Sequence, residues 1–273
     1  MTLAAAIGYV VFGFAVGIYG TLVGAGGGFV IVPFLLLVRH ARPEQAAGTS
    51  LAVVFLNALS GTVAYARQRR VDYASGIWFA AATVPGAVLG AYGARAFSGR
   101  AFDLVFGGLL LAVAAVLLWR PLPAAGATAG SPARGRAWWP VERRLADAAG
   151  GVFRYRYDRV WGILLSFVVG YASSVLGVGG GIVHVPALVY LLGFPAHVAT
   201  ATSHFILAVT AGVGTLSHAA LGHVFFLPAG LMGLGAVLGA PVGARLSRNL
   251  HGGWIVRGLA VALAAVGIRL LAR

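Results

Sequence analysis

Cysteine is absent from the 273 residues, and so is lysine: all 20 basic residues are arginine. The first absence excludes disulfides, thiolate metal sites and thiol relays. Negative charge is scarce as well, with 6 Asp and Glu in all. No carboxylate lies inside an apolar run away from its ends, which argues against a carboxylate cation site or a carboxylate proton carrier. Charged residues of both signs make up 10% of the chain and hydrophobic ones 60%. A soluble domain carries roughly 25% charged residues, so a soluble fold is excluded. The sequence also lacks G-x-S-x-G, H-E-x-x-H and P-loop motifs, and nothing supplies the orienting carboxylate of a triad, so no enzyme is expected. No cofactor and no metal site are expected; histidines occur without Asp, Glu or Cys beside them.

Apolar segments fill most of what remains, at roughly 4–23, 29–38, 46–66, 74–94, 103–119, 160–176, 182–194, 198–220, 225–245 and 254–272. These are helical lengths rather than the roughly 10-residue alternating segments of a membrane barrel. The pattern predicts an all-α polytopic membrane protein. MTLAAAIGYV lacks a charged n-region and runs directly into the first segment, so no cleavable signal peptide is expected. The formal net charge of +14 would suggest nucleic acid in a soluble chain. Here the arginines lie mostly in short loops and in one linker, as charges that orient spans do, and no segment can build a folded basic face. Nucleic acid is not an expected partner.

The linker, residues 121–159, begins rich in Pro, Ala and Gly and continues as a basic stretch with Trp138, Trp139, Phe153, Tyr155 and Tyr157. Aromatics beside arginines suit a segment at the lipid surface. Eight arginines from Arg120 to Arg159 place it on the cytoplasmic side. The expected organisation is a first transmembrane repeat over 1–120, this linker, and a second repeat over 160–273.

The word repeat is meant literally. Gly24, Gly26, Gly27, Gly28 and Pro33 recur 153 positions later as Gly177, Gly179, Gly180, Gly181 and Pro186. The same offset carries Thr49-Ser50 onto Thr202-Ser203 and Gly61-Thr62 onto Gly214-Thr215. Apolar composition alone matches valines and leucines, not glycines, a proline and a Thr-Ser pair in one order. Two-fold internal repeats are a signature of secondary transporters.

Glycine and proline break each half at its start. As one helix, residues 4–38 would be about 52 Å long at 1.5 Å per residue, against a hydrocarbon layer of about 30 Å. The glycines therefore end one helix and start a short second one, broken or re-entrant. If the break reverses the chain, each half has five segments and the pseudo-symmetric halves are inverted. If it only kinks a crossing, each half has four and they are parallel. The arginine distribution separates these by a single residue; the length argument favours the inverted form.

A half-helix starting at Gly28 or Gly181 points free amides and the positive end of its dipole into the protein. Glycine lets a solute approach those amides, so Gly24, Gly26, Gly27, Gly28 and Pro33, with Gly177, Gly179, Gly180, Gly181 and Pro186, are candidate lining residues of an anion site. The competing reading is close helix packing by small residues. Thr49-Ser50 and Thr202-Ser203 each open the helix after the break, where hydroxyls either cap it or donate to an anion. Asn57, opposite Thr210 in the second copy, is either lining or interhelical glue. His184, His204 and His218 stand where the first copy has Ile31, Leu51 and Tyr65. Three histidines on one half and none at the matched places of the other suggest a substrate contact or a proton relay.

The paired G-x-G-G-G-x-x-x-V-P motifs, each followed by a Thr-Ser pair, resemble those of the TauE/SafE family of membrane permeases, the sulfite exporters or TSUP proteins. The likeness covers both repeats and the linker. It implies a secondary transporter in the bacterial inner membrane, moving sulfite, organosulfonates or related sulfur-containing anions by alternating access. It also implies that the glycines, Pro33, Thr49-Ser50 and their second-half equivalents surround the pathway. A passive anion channel and a membrane enzyme or assembly factor for sulfur compounds are the alternatives. Membrane lipid is an expected partner, and a homodimer is an assembly left open.

Overall fold

The computed structural model describes residues 2–96, 99–119, 138–249 and 252–272. The Pro/Ala/Gly-rich part of the linker, with Arg134 and Arg136, lies outside the described residues, as does the terminal Arg273.

The described residues contain ten α-helices: α1 (Leu3–Val23), α2 (Gly28–Leu37), α3 (Pro43–Arg67), α4 (Tyr73–Gly93), α5 (Arg100–Trp119), α6 (Arg159–Leu176), α7 (Gly181–Tyr190), α8 (Ala196–Ala220), α9 (Phe226–Asn249) and α10 (Gly252–Leu271). Seven of the described helices are long and apolar enough to cross a membrane, and α2 and α7 are short apolar ones. The polytopic helical fold read from the apolar segments is therefore the fold observed. Element boundaries also recur at the sequence offset: α2 and α7 are both 10 residues, α3 and α8 both 25, each starting 153 positions apart.

Glycines set how the helices meet. A methyl group at Gly13 would strike the Met232 carbonyl, and one at Gly243 the Ile18 carbonyl, so α1 lies directly on α9 and both run the same way. Helix α3 also runs along α9 in the same direction, with Gly233 against Leu56 and the Ser60 hydroxyl donating to the Val237 carbonyl at 2.8 Å. Since α1 and α3 point the same way, α2 between them turns the chain back. Helices α3 and α8, equivalent members of the two halves, run antiparallel: Gly48 lies on His218 while Gly61 lies on His204. Equivalent helices pointing in opposite senses make the halves inverted, as the length argument favoured.

The linker departs from a purely helical reading. Its described part folds into an antiparallel hairpin of β1 (Pro140–Ala146) and β2 (Val152–Asp158). The alternating pattern points Tyr155 and Tyr157 inward, 5% and 1% exposed, rather than towards lipid. Their rings join Phe79 of α4 and Phe194 of the α7–α8 loop, with centroid separations of 4.5 Å for Tyr155–Phe194 and 5.7 Å for Phe79–Tyr157. Trp138 and Trp139 remain exposed, and the Arg159 guanidinium lies 4.4 Å over the Trp139 ring.

One carboxylate anchors this hairpin. Asp72 caps α4 by accepting from the Ser75 amide, and it is 1% exposed. Arg143 Nη2 and Nε donate to it at 2.8 and 3.2 Å, and the Tyr155 hydroxyl at 2.6 Å. Burial pushes the Asp72 carboxyl up, but hydrogen bonds from Arg143, Ser75 and Tyr155 outweigh it and hold it below the usual carboxylate value. A second pair, Arg70 with Asp147 at 3.3 Å, and the Ala148 amide on the Gln68 carbonyl at 3.0 Å complete the attachment. A carboxylate with a lowered pKa stabilises above its unfolded value, and that stabilisation fades as pH falls through the folded one. Hydrogen–deuterium exchange protection of the hairpin amides is therefore expected to be high at neutral pH and to fall below the ordinary carboxylate range. Asp72→Asn is expected to lower that protection at neutral pH and to lose part of the dependence, Asp147 keeping the rest; equal protection for both proteins at every pH would remove Asp72 as the anchor.

Candidate functional site

The two breaks are built by backbone that only glycine adopts readily. Gly24 ends α1 at φ +82°, and Gly26 and Gly27 follow at +74° and +87°; Gly177, Gly179 and Gly180 repeat this at +71°, +80° and +79°. A side chain in this left-handed region is strained, which explains why the sequence places glycine there twice. Freed amides turn back on the preceding helix: those of Ala25 and Gly26 donate to the Gly20 carbonyl at 2.9 and 3.0 Å. The first amides of α2 and α7 have no intrahelical acceptor.

The breaks meet each other. A methyl group on Gly28 would sit 2.7 Å from the carbonyl oxygens of both Gly177 and Val178, and one on Gly181 would strike the Gly24 carbonyl. Each half thus presents its broken backbone to the other's. The Ser50 hydroxyl donates to the Gly177 carbonyl at 2.7 Å, and Ser203 to the Gly24 carbonyl at 3.4 Å. Asn57 Nδ2 donates to the Gly26 carbonyl at 3.1 Å, while its Oδ1 accepts from the Thr21 hydroxyl at 3.1 Å. With the Thr21 proton committed to Asn57, the contact of His204 Nε2 with Thr21 Oγ1 at 3.3 Å has the imidazole donating.

Ser50, Ser203, Asn57 and His204 are therefore brought to the breaks, where the two serines and Asn57 hold backbone carbonyls. Thr49 and Thr202 are not. Helix α3 begins at Pro43 and α8 at Ala196, so neither Thr-Ser pair opens its helix as the sequence suggested; both lie in its interior. Each threonine instead reaches into the other half and accepts the amide just before a helix there: Phe225 on Thr49 and Asp72 on Thr202, both at 3.0 Å. Pro33 and Pro186 lie within α2 and α7, not at the breaks. His184 faces α6, with Nε2 3.1 Å from Ser166 Oγ. His218 Nε2 donates to the Ser174 carbonyl at 2.9 Å, where its counterpart Tyr65 donates to the Thr21 carbonyl at 2.8 Å. The exchange of Tyr for His keeps a donor to the last turn of the broken helix.

Sequence reasoning missed what covers the breaks. Methyl groups on Gly26 and on Gly179 would each run into the same two side chains, Val54 and Leu207, at 2.5 to 2.9 Å. These two are themselves 153 positions apart, but as apolar residues among many they carry no signal of their own. In this conformation the glycine backbone faces Val54 and Leu207. A cavity of about 460 Å³ opens elsewhere, on the face opposite the hairpin, lined by Tyr9, Leu35, Arg39, His40, Gln45 and the start of α9, among others. The Arg39 guanidinium lies 5.9 Å from the centre of the Tyr9 ring.

Inverted halves whose interrupted helices meet at their first residues define a class, the inverted-repeat membrane transporters. The family description sulfite exporter TauE/SafE matches residues 9–270. The probable membrane transporter protein YunE of Bacillus subtilis (strain 168) is 35% identical over 269 residues, 96% of each chain. A probable membrane transporter protein of Xylella fastidiosa (strain Temecula1) is 30% identical over 246 residues, 88% of this chain and 84% of that one. No solved structure matches. The chain belongs to the sulfite exporter TauE/SafE family and is a membrane transporter.

Removing the Ser50 hydroxyl leaves the Gly177 carbonyl buried without its donor, at a cost of about 1–3 kcal/mol. Ser50→Ala is expected to lower the melting temperature of the detergent-solubilised protein by about 2–4 °C per kcal/mol, with Ser50→Thr recovering part of the loss. An unshifted transition for Ser50→Ala would show that the serine does not clamp the break.

Proposed function

We propose that the chain is a secondary transporter that carries a small sulfur-containing anion, such as sulfite or an organosulfonate, by alternating access between its two halves. The observation that carries this reading is the mutual contact of the two breaks at the centre of an inverted repeat. Two half-helix starts converge there, each with first amides that lack an intrahelical acceptor and a positive dipole end, in a membrane interior poor in carboxylates. That combination favours negative charge. The sulfur comes from the family description alone; the amides and hydroxyls would serve any small oxyanion.

In this reading the glycine breaks, Ser50, Ser203, Asn57 and His204 line the pathway, and Val54 and Leu207 are the apolar seal across its centre. The hydroxyls of Ser50 and Ser203 hold carbonyls while the seal is shut and turn to the anion when the seal opens. His184, Thr49, Thr202, Pro33 and Pro186 support the helices instead of touching solute. The linker face is cytoplasmic, following the arginine excess, in a bacterial inner membrane.

Purified protein in liposomes tests this. Radiolabelled sulfite uptake is expected to saturate and to show counterflow, driven by unlabelled sulfite inside. Ohmic current without counterflow would replace the carrier with a channel, and chemical conversion of the sulfite would make it an enzyme. Cutting back the seal, with Val54→Ala and Leu207→Ala together, is expected to raise sulfite efflux into buffer without exchange several-fold. Counterflow and leak both unchanged would remove these two residues from the pathway.

A further inference from the structure

The cavity on the face opposite the hairpin has a twin, and the repeat locates it. Leu35 and Gln45, which line the cavity, correspond at the same offset of 153 to Leu188 and Val198; Phe225 and Pro228, also lining it, correspond to Asp72 and Ser75. Those four counterparts lie on the linker face, and they gather around Tyr155 and Tyr157. Leu188 and Val198 belong to the apolar cluster that buries both rings. The Tyr155 hydroxyl donates to Asp72 at 2.6 Å, and the Tyr157 hydroxyl to Ser75 Oγ at 2.7 Å. One vestibule is hollow; the other is filled by two tyrosines from the linker. The linker joins the halves, and among the described residues no second hairpin enters the open cavity.

From this pairing we infer that the β1–β2 hairpin is a resident plug of the linker-face vestibule, closing that face while the opposite one stands open. The inference rests on the transporter reading above. The hairpin suits the role because it is the part of the fold held by side chains instead of close backbone packing. Two strands alone are marginally stable in water. Its attachment is the Asp72 cluster, the Arg70–Asp147 pair, the Ala148 amide and the tyrosine rings. Its other face carries the exposed Arg144, Arg154 and Arg156 and pairs with no further strand among the described residues. The plug can therefore leave at the cost of these contacts.

The chain contains no cysteine, so single introduced thiols report on each vestibule cleanly. Ser75→Cys sits beneath Tyr157, and Pro228→Cys is its twin in the open cavity. In detergent, a polar maleimide is expected to label Pro228→Cys at least about tenfold faster than Ser75→Cys, because protection reports local opening. Adding Tyr155→Ala and Tyr157→Ala is expected to bring Ser75→Cys close to the Pro228→Cys rate. Ser75→Cys reacting as fast as its twin with the hairpin intact would overturn the plug. So would protection that persists after both tyrosines are removed while the gel-filtration profile and the Pro228→Cys rate are unchanged. If the double alanine variant loses its profile, Arg143→Gln, which leaves the rings in place, has to raise the Ser75→Cys rate several-fold, and no rise overturns the proposal. Labelling does not depend on which solute is carried. Absent sulfite counterflow with the expected labelling rates would therefore count against the transport reading and leave the plug standing.

Discussion

A backbone interrupted inside a bilayer has to find hydrogen-bond partners within the protein, and here each interruption finds them in the other half of the chain. The Gly24–Gly28 break takes Ser203 on its first carbonyl and Asn57 on its third; the Gly177–Gly181 break takes Ser50. The arrangement needs bare backbone, because a methyl group at Gly28 or Gly181 would collide with the opposite strand of the same junction. From this contact the rest follows. It holds α2 and α7 as half-helices, brings α3 and α8 together antiparallel, and puts the serines of those helices over the junction.

The junction also ties packing to movement. The long helices are held by glycine-lined contacts, α1 on α9 and α4 on α6, in which backbone touches backbone. Contacts of that kind persist as units. Each of these pairs takes one helix from each half, and what lies between the pairs at the centre is softer: Val54 and Leu207 over the glycines, and single hydroxyl-to-carbonyl bonds. The alternating access proposed above needs this division between rigid pairs and a yielding middle.

Symmetry is broken at the two faces as well as at the centre, where Asn57 and His204 correspond to Thr210 and Leu51 of the other copy. Thr49 and Thr202 perform the same capping at opposite ends, and Tyr65 and His218 the same donation. The faces differ because the linker adds a hairpin to one of them. Asp72 becomes a buried anchor where its counterpart Phe225 borders a cavity. An inverted repeat alone gives two equal openings; the added segment makes them unequal.

The sequence by itself determined the membrane class, the ten helical segments, the repeat at an offset of 153 and the places where the helices break. Those properties reside in hydropathy and in the left-handed backbone that glycine supplies, both local. It also singled out most of the residues at the centre, because polar side chains in apolar runs are conspicuous. Tertiary structure alone decided what they do there. Thr49 looked like the opening of its own helix and instead caps one in the other half. Ser50 looked like a cap or an anion donor and instead donates to a distant carbonyl. Val54 and Leu207 were invisible among other apolar residues, and the inward turn of Tyr155 and Tyr157 was hidden by an aromatic, arginine-rich stretch that reads equally well as a lipid-facing one. Each of these depends on which helices cross at a point, and crossing is set by long-range packing that no short window of sequence contains.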